Sequence, residues 1–388
     1  MIVHLFNTGV VSGPERLVLP ALADARERFM IVNLLETRLT RADGADPLRA
    51  LSESLGLRYA AVPVEGRWDR AAIRRLSALL EELRPELVHA HVGKASVYLA
   101  RARRGLNAPP PIVSTHHGVR GLPDWKTRLY ELAYRRFFLR SFNRVLCVST
   151  EDFETVRRSG IDAGKLRLHR NGVDGLKIEP ARRAEARAKI RAAWLPRETA
   201  SENLFLFGVV GRLSAEKGHD RLLRVLSRLE KIGAARDWRC LVFGRGEREA
   251  ALRETAERLG LARRMVWMGY RDDVGRELAG LDLVLSFSKA EGLPINLIEA
   301  GWAGTPVMST LVGGVKDLIP DPSFGVEVAP DEPDAESARR IAELLTEAGR
   351  ADLAARGRRL QERVAADFSR ARWLARLREI YAELGASF

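Results

Sequence analysis

Cysteine is scarce. Cys147 and Cys240 are the only two among 388 residues, and they stand in separate strand-like runs far apart in the chain. A disulfide framework is therefore not expected, and the cytoplasm is the compartment that fits. Long apolar runs are missing as well: no stretch approaches the roughly 20 continuous apolar residues that span a bilayer. The opening Met1-Ile2-Val3-His4-Leu5-Phe6 carries no basic leader and no small-residue cleavage site. It reads as a buried first strand, not as a signal peptide. No P-loop is present. Gly93-Lys94-Ala95-Ser96 has part of one, but the glycine required five positions earlier is Val88. RNA-binding signatures are also lacking, so nucleic acid is not an expected partner despite a formal net charge of +13. A surplus of that size equally suits anionic lipid or phosphorylated substrates, or simply reflects an Arg-rich composition.

What the chain does have is a repeated alternation. Short β-branched runs at 2–6, 30–35, 59–64, 87–91, 112–115 and 144–148 are separated by amphipathic stretches of helix length, such as 71–83 and 125–141. The series restarts at 204–210 and continues through 239–243, 265–267, 283–287 and 306–308. Such alternation predicts α/β architecture with parallel sheets covered by helices on both faces. The polar, Arg/Ala-rich stretch 177–203 between the two series reads as the interdomain connection. The expected domains are 1–185, 203–371 and a C-terminal helix, 372–388, that crosses back to the first domain. Helical pattern runs from 338 to about 384, with a break near Asp367-Phe368-Ser369. Open parallel sheets bind ligands beyond the carboxyl ends of their strands, and two such sheets facing each other enclose a cleft. Chemistry is therefore sought in loops that follow strands.

After the run 283–287 comes Ser288-Lys289-Ala290-Glu291-Gly292-Leu293-Pro294-Ile295-Asn296-Leu297-Ile298-Glu299-Ala300. Pro294 suits the first turn of a helix. The amides of Gly292 and Leu293 then lie at a helix N-terminus, where anions bind. Glu291 before the turn and Glu299 one turn inside it can bracket a nucleotide sugar, one accepting sugar hydroxyls and the other the hydroxyls of a ribose. The plainer alternative is a loop carboxylate and a capping or solvent-facing one. After 204–210, Gly211-Arg212-Leu213-Ser214-Ala215-Glu216-Lys217-Gly218 supplies two cations. Arg212 and Lys217 suit a diphosphate leaving group, whose negative charge grows as its glycosidic bond breaks; on its own the loop reads equally as two solvated cations. The loop Phe243-Gly244-Arg245-Gly246-Glu247 resembles part of a dinucleotide fingerprint but has Glu249 where the last glycine belongs.

In the first half, His89 and His91 end one strand and His116-His117-Gly118 another. No Cys, Asp or Glu in these loops supports them as zinc ligands, so no metal site is expected. His117 is the candidate to hydrogen-bond a sugar hydroxyl; His89 and His91 read as structural. The loop Asn7-Thr8-Gly9-Val10-Val11-Ser12-Gly13-Pro14 follows the first strand, and Gly13 allows close backbone approach to a ligand. The segment 125–140 places Tyr130, Tyr134, Phe137 and Ser141 on one helical stripe, with Arg136, Arg140 and Arg144 beside it. Aromatics beside cations suit a headgroup boundary, and further basic runs at 67–75 and 101–104 lie in the same half.

Taken together, Gly211-Arg212-Leu213 through Lys217-Gly218, Glu291 to Glu299 and Gly304-Thr305-Pro306-Val307 resemble the family 4 glycosyltransferases. Asn171-Gly172-Val173-Asp174 and Val312-Gly313-Gly314 extend the likeness over nearly the whole chain. The resemblance implies the glycosyltransferase B fold, two Rossmann-like domains facing across a cleft. It implies a retaining, metal-independent enzyme that moves a hexose or N-acetylhexosamine from a nucleotide sugar, typically a UDP-sugar, which is a substrate and not a cofactor. A glycan or glycolipid is the implied acceptor, with a small soluble acceptor such as a sugar phosphate or polyol as the alternative. The aromatic-basic segment, not the resemblance, adds an anionic membrane surface as an expected partner and a peripheral position on the inner face of the cytoplasmic membrane as an expected location. Arg212 and Lys217 then bind the diphosphate, Glu291 the transferred sugar and Glu299 the ribose. His117 reaches the sugar from the N-terminal domain and Gly13 belongs to its glycine loop. Gly244, Tyr270, Arg271, Gly292, Leu293 and Pro294 complete the donor-binding set. The family pattern is broken at Pro14, where a small residue is usual, and at Val315-Lys316, where an apolar residue and proline are usual. No Asp-x-Asp follows a strand, so Arg212 and Lys217 provide the charge that a divalent cation provides elsewhere.

Overall fold

A computed structural model describes the chain except residues 37–44, 67, 92, 118–133, 176–179, 195–202, 234–236 and 272–273. It divides into two units, Met1–Gly172 with Arg370–Phe388, and Val173–Ser369. Strands of the first unit are β1 (Ile2–Phe6), β2 (Phe29–Glu36), β3 (Arg58–Val64), β4 (Leu87–His91), β5 (Ile112–His116), β6 (Arg144–Cys147) and β7 (Leu166–Leu168). Those of the second are β8 (Phe205–Val210), β9 (Trp238–Phe243), β10 (Met265–Gly269), β11 (Leu283–Ser286), β12 (Val307–Thr310) and β13 (Val326–Val328).

Both sheets are parallel and doubly wound. The first has the order β3-β2-β1-β4-β5-β6-β7 and the second β10-β9-β8-β11-β12-β13. Their central strands are near-continuous apolar runs, as sheets buried on both faces require: all of β1 is buried, and so are Phe205 to Val209 of β8. Strand order reverses between β1 and β4 and between β8 and β11, and at such points the loops diverge to leave room for a ligand.

Three points differ from the expectations. The first compact unit runs to Gly172, where a domain to 185 was expected. Within the polar connection, Pro180–Trp194 is a helix fastened to the second unit. Arg183 donates to the carbonyls of Ala303 (2.9 Å) and Gly304 (2.5 Å), and Arg187 pairs with Asp282 at 2.7 Å. Second, the described end of the aromatic-basic segment, 134–141, is two short turns in place of a regular helix. Residues 125–133 lie outside the described residues, and Tyr134–Phe138 is one wide helical turn followed by a tight turn at Leu139–Ser141. Tyr134 is buried with its hydroxyl 3.2 Å from that of Ser114, and Arg144 pairs with Glu383 at 2.7 Å. Phe137, Arg136 and Arg140 remain exposed. Third, β7 and β13 had no counterpart in the sequence reading.

The break at Phe368-Ser369 separates helix Glu347–Asp367 from Arg370–Ala382, and this last helix packs in the first unit as expected. Arg167 and Arg144 grip its neighbour Glu383 and pull that carboxyl down to about 2. Among the described residues no helix is long and apolar enough to cross a membrane.

Candidate functional site

Loops at the carboxyl ends of β8, β9, β11 and β12 lock together through backbone contacts. Gly218 has φ +67°, and a Cβ there would lie 1.8 Å from the Phe287 carbonyl oxygen. Gly313 has φ +55°, and its Cβ would lie 1.8 Å from the oxygen of Glu291. Only glycine tolerates either position. The Lys289 amide donates to the Glu216 carbonyl (2.8 Å) and the Gly314 amide to that of Gly292 (2.5 Å). The Thr310 hydroxyl donates to the Ser288 carbonyl (2.6 Å), and the Asn296 amide group to that of Val210 (2.6 Å).

This frame holds a polar centre. Lys217 Nζ donates to both oxygens of Glu291, at 2.7 and 2.9 Å, and Ser288 Oγ donates to Oε1 at 2.7 Å. Glu291 is buried and Lys217 partly so, a setting in which a charge pair is screened far less than in water. Arg212 stands exposed on the same loop as Lys217. Sequence reading assigned Lys217 and Glu291 separate duties; the structure brings them into direct contact. It also adds Ser288, which no spacing rule singles out.

Pro294 caps helix Ile295–Trp302 and is not inside its first turn, so Gly292 and Leu293 precede the helix by two or three residues. The Pro294 carbonyl accepts from Leu297 (3.2 Å) and Ile298 (3.3 Å). Glu299 is half-buried on the helix. Gly244 follows β9, and its amide donates to the Gly269 carbonyl at 2.8 Å. Tyr270 is exposed, whereas the Arg271 guanidinium lies over the Trp194 ring (4.9 Å) and 3.8 Å from Glu277.

In the first unit, Gly13 opens helix Gly13–Leu22. The Ser12 amide and hydroxyl both donate to Glu15 at 2.8 Å, a capping box, and Pro14 sits in the first turn where its missing N–H is harmless. His117, just after β5, lies against a narrow gap too small for a water molecule, lined also by His91, Thr115, His169, Asn171 and Trp373. Beneath it lies a group the sequence did not reveal. His4 stands opposite His89 in the β1–β4 register, and the ring nitrogens of His4, His89 and His91 lie within 4.8 Å of one another. That spacing would suit a metal ion, but the nitrogens face one another and their neighbours at hydrogen-bond distance. His4 Nδ1 is 2.9 Å from His91 Nε2, and His4 Nε2 is 3.2 Å from the Tyr381 hydroxyl. His89 Nδ1 is 2.6 Å from that hydroxyl, and His89 Nε2 is 2.7 Å from Thr115 Oγ1. Burial disfavours the imidazolium, lowering His4 to about 3 and His89 and His91 well below their ordinary value.

The family described as "Glycosyl transferases group 1" matches residues 190–360, and "Glycosyltransferase Family 4" matches residues 32–175. The chain is similar to a 2-deoxystreptamine N-acetyl-D-glucosaminyltransferase of Streptomyces fradiae, 30% identical over 74% of this chain and 67% of that one. It is also similar to a UDP-Gal:alpha-D-GlcNAc-diphosphoundecaprenol alpha-1,3-galactosyltransferase of Escherichia coli, 26% identical over 65% and 64% of the two chains. Each match thus spans about two thirds of the relative's own length. Among solved structures, Anabaena Alr3699/HepE in complex with UDP-glucose superposes with a TM-score of 0.79 at 20% identity, over 98% of this chain and 99% of that one.

Proposed function

Because the chain belongs to the group 1, family 4 glycosyltransferases and has their glycosyltransferase B fold, we propose that it moves a hexose or N-acetylhexosamine from a UDP-sugar, with retained anomeric configuration. The observation that carries this reading is the Lys217–Glu291–Ser288 centre, set among interlocked glycine loops where the order of the second sheet reverses. Lys217 and Arg212 bind the diphosphate and stabilise the charge that builds up on it as the glycosidic bond breaks. Glu291 accepts hydrogen bonds from the transferred sugar, and its grip on Lys217 sets the distance between sugar and diphosphate contacts. Glu299 takes the ribose hydroxyls. Gly244, Tyr270, Arg271, Gly292, Leu293 and Pro294 line the donor, with the base near Tyr270 and Arg271. His117 and Gly13 serve the transferred sugar from the first unit. Bond formation on the face that the leaving group departs from retains configuration, and a diphosphate oxygen takes the acceptor's proton. UDP is favoured as carrier by the likeness to the UDP-Gal-dependent galactosyltransferase and to the Anabaena complex with UDP-glucose.

The two glutamates separate binding from transfer. Glu299→Gln should weaken UDP binding by about tenfold, the scale of one charge-assisted hydrogen bond, whereas Glu291→Gln should mainly slow transfer. Calorimetric titration with UDP checks this, and a Glu299→Gln protein that binds UDP as tightly as the parent removes the ribose role.

The acceptor in this reading is a glycan or lipid-linked sugar of bacterial cell-surface polysaccharide or lipopolysaccharide, reached from the inner face of the membrane. Charge distribution favours it over a small soluble acceptor. The first unit carries 32 Lys and Arg against 20 Asp and Glu, the second 32 against 31, so nearly all of the +13 resides in the first. Phe137 is exposed there between Arg136 and Arg140. Cosedimentation should show binding to vesicles containing anionic lipid that declines as salt rises and drops in Arg136→Glu/Arg140→Glu. Equal recovery in the supernatant with anionic and neutral vesicles at low salt would leave the soluble acceptor as the better reading.

A further inference from the structure

Helix Pro180–Trp194 meets the second unit along one stripe. Arg183, Arg187, Ile190 and Trp194 follow one another at helical spacings of four, three and four residues, which places them on a single face. Arg183 and Arg187 hold the Ala303 carbonyl and Asp282. Ile190 is buried where the helix passes close to Gly280: a Cβ on that glycine would lie 2.8 Å from Ile190 Cδ1 and 2.9 Å from the Ala186 carbonyl carbon. The stripe thus delivers Trp194 to the same surface, and there the Arg271 guanidinium lies over its ring at 4.9 Å.

Arg271 is held on other sides as well. Its Nε stands 3.8 Å from Glu277, and its Nη1 donates to the Tyr270 carbonyl at 3.4 Å. The Arg271 side chain is nevertheless 28% exposed and Trp194 43%, so a ligand can reach both. Their loop is built into one frame with the loop of Arg212 and Lys217. The Gly244 amide donates to the Gly269 carbonyl, and a Cβ on Gly244 would lie 1.9 Å from the Gly211 carbonyl oxygen. In the order β10-β9-β8, β10 stands two strand spacings, about 10 Å, from β8. A diphosphate held at Lys217 therefore leaves its nucleoside within reach of Arg271.

We propose that Trp194 is a positioning residue for base recognition: it holds the Arg271 guanidinium in one plane, and the protein thereby prefers uracil to cytosine. The proposal rests on the reading of Tyr270 and Arg271 as the base contacts. A guanidinium has five N–H donors and no acceptor. It can donate to O4 of uracil, whereas cytosine carries an amino group at that position, itself a donor. A planar cation already stacked on an indole gives up little freedom in forming such a bond. The connecting helix then selects the donor nucleotide as well as joining the two units.

Calorimetric titration with UDP, UMP and CDP tests this. The parent protein should bind UDP about tenfold more tightly than CDP, the scale of one hydrogen bond to a charged group. Trp194→Leu should weaken UDP and UMP alike by about fivefold, the scale of a lost cation–π contact, and leave CDP little changed. Trp194→Phe should recover most of the loss. Arg271→Lys keeps the charge but not the planar fork, leaves the helix untouched, and should reproduce the effect if Trp194→Leu does not fold. Equal affinity of the parent for UDP and CDP, or equal losses of UDP and CDP in Trp194→Leu, as mere loosening of the helix would give, would overturn the proposal. Undiminished UDP binding in both Trp194→Leu and Arg271→Lys would do the same. If the parent still prefers UDP to UMP in those cases, the diphosphate reading stands and the role of Trp194 alone is removed; a parent indifferent to the β-phosphate removes both.

Discussion

Lowering the pH from 7 to 5.5 is expected to strip several kcal/mol from the first unit and only about 1 kcal/mol from the second. His4, His89, His91 and His169 of the first unit are all buried and held below their ordinary value of 6.5, His4 at about 3 and His169 at about 4. The unfolded chain therefore binds more protons than the folded one between that value and the depressed ones. Stability is full above about 6.5 and is lost as the pH falls through it. Each histidine contributes about 1.4 kcal/mol at one pH unit below, so four together approach about 5 kcal/mol, comparable to the whole stability of a typical domain. The second unit has one such group, His219, lowered to about 4. The gripped carboxyl of Glu383, at about 2, contributes no loss in this range. Calorimetry should resolve two transitions, and UDP should raise the one belonging to the second unit. Acid should lower the other. A Tm of that other transition unchanged between pH 7 and 5.5 would contradict the burial of neutral histidines.

Much of the architecture was legible because burial on both faces leaves a strong sequence mark. Apolar runs such as 204–210 and 239–243 have no other soluble interpretation once turn residues bound them, and β8 and β9 fall there within one residue. The edge strands β7 and β13 escaped because three residues at a sheet margin leave no periodic trace. Helix Pro180–Trp194 left little trace in the sequence because much of its hold on the second unit is polar, through Arg183 and Arg187. In the candidate site, motif spacing identified Lys217 and Glu291 but not their contact, which depends on β8 and β11 being neighbours. The same limit hid His4: it joins His89 and His91 only because β1 pairs with β4.

The central claim is that the loops around Lys217 and Glu291 hold the diphosphate of a UDP-sugar. Lys217→Ala should slow UDP release from a UDP-hexose by about a hundredfold, or roughly 3 kcal/mol, the scale of losing one preorganised charge donor. The variant also leaves the buried Glu291 carboxylate without its cation, which adds a like-charge penalty against the incoming phosphates. The claim is tested most directly by calorimetric titration of the parent protein and Lys217→Ala with UDP and with UMP, which lacks the β-phosphate. Charge-assisted hydrogen bonds are each worth about 1.5–3 kcal/mol. The parent should therefore bind UDP about a hundredfold more tightly than UMP, and Lys217→Ala should lose most of that preference while binding UMP almost as before. Equal affinity of the parent for the two nucleotides, or an undiminished preference in Lys217→Ala, would contradict the account.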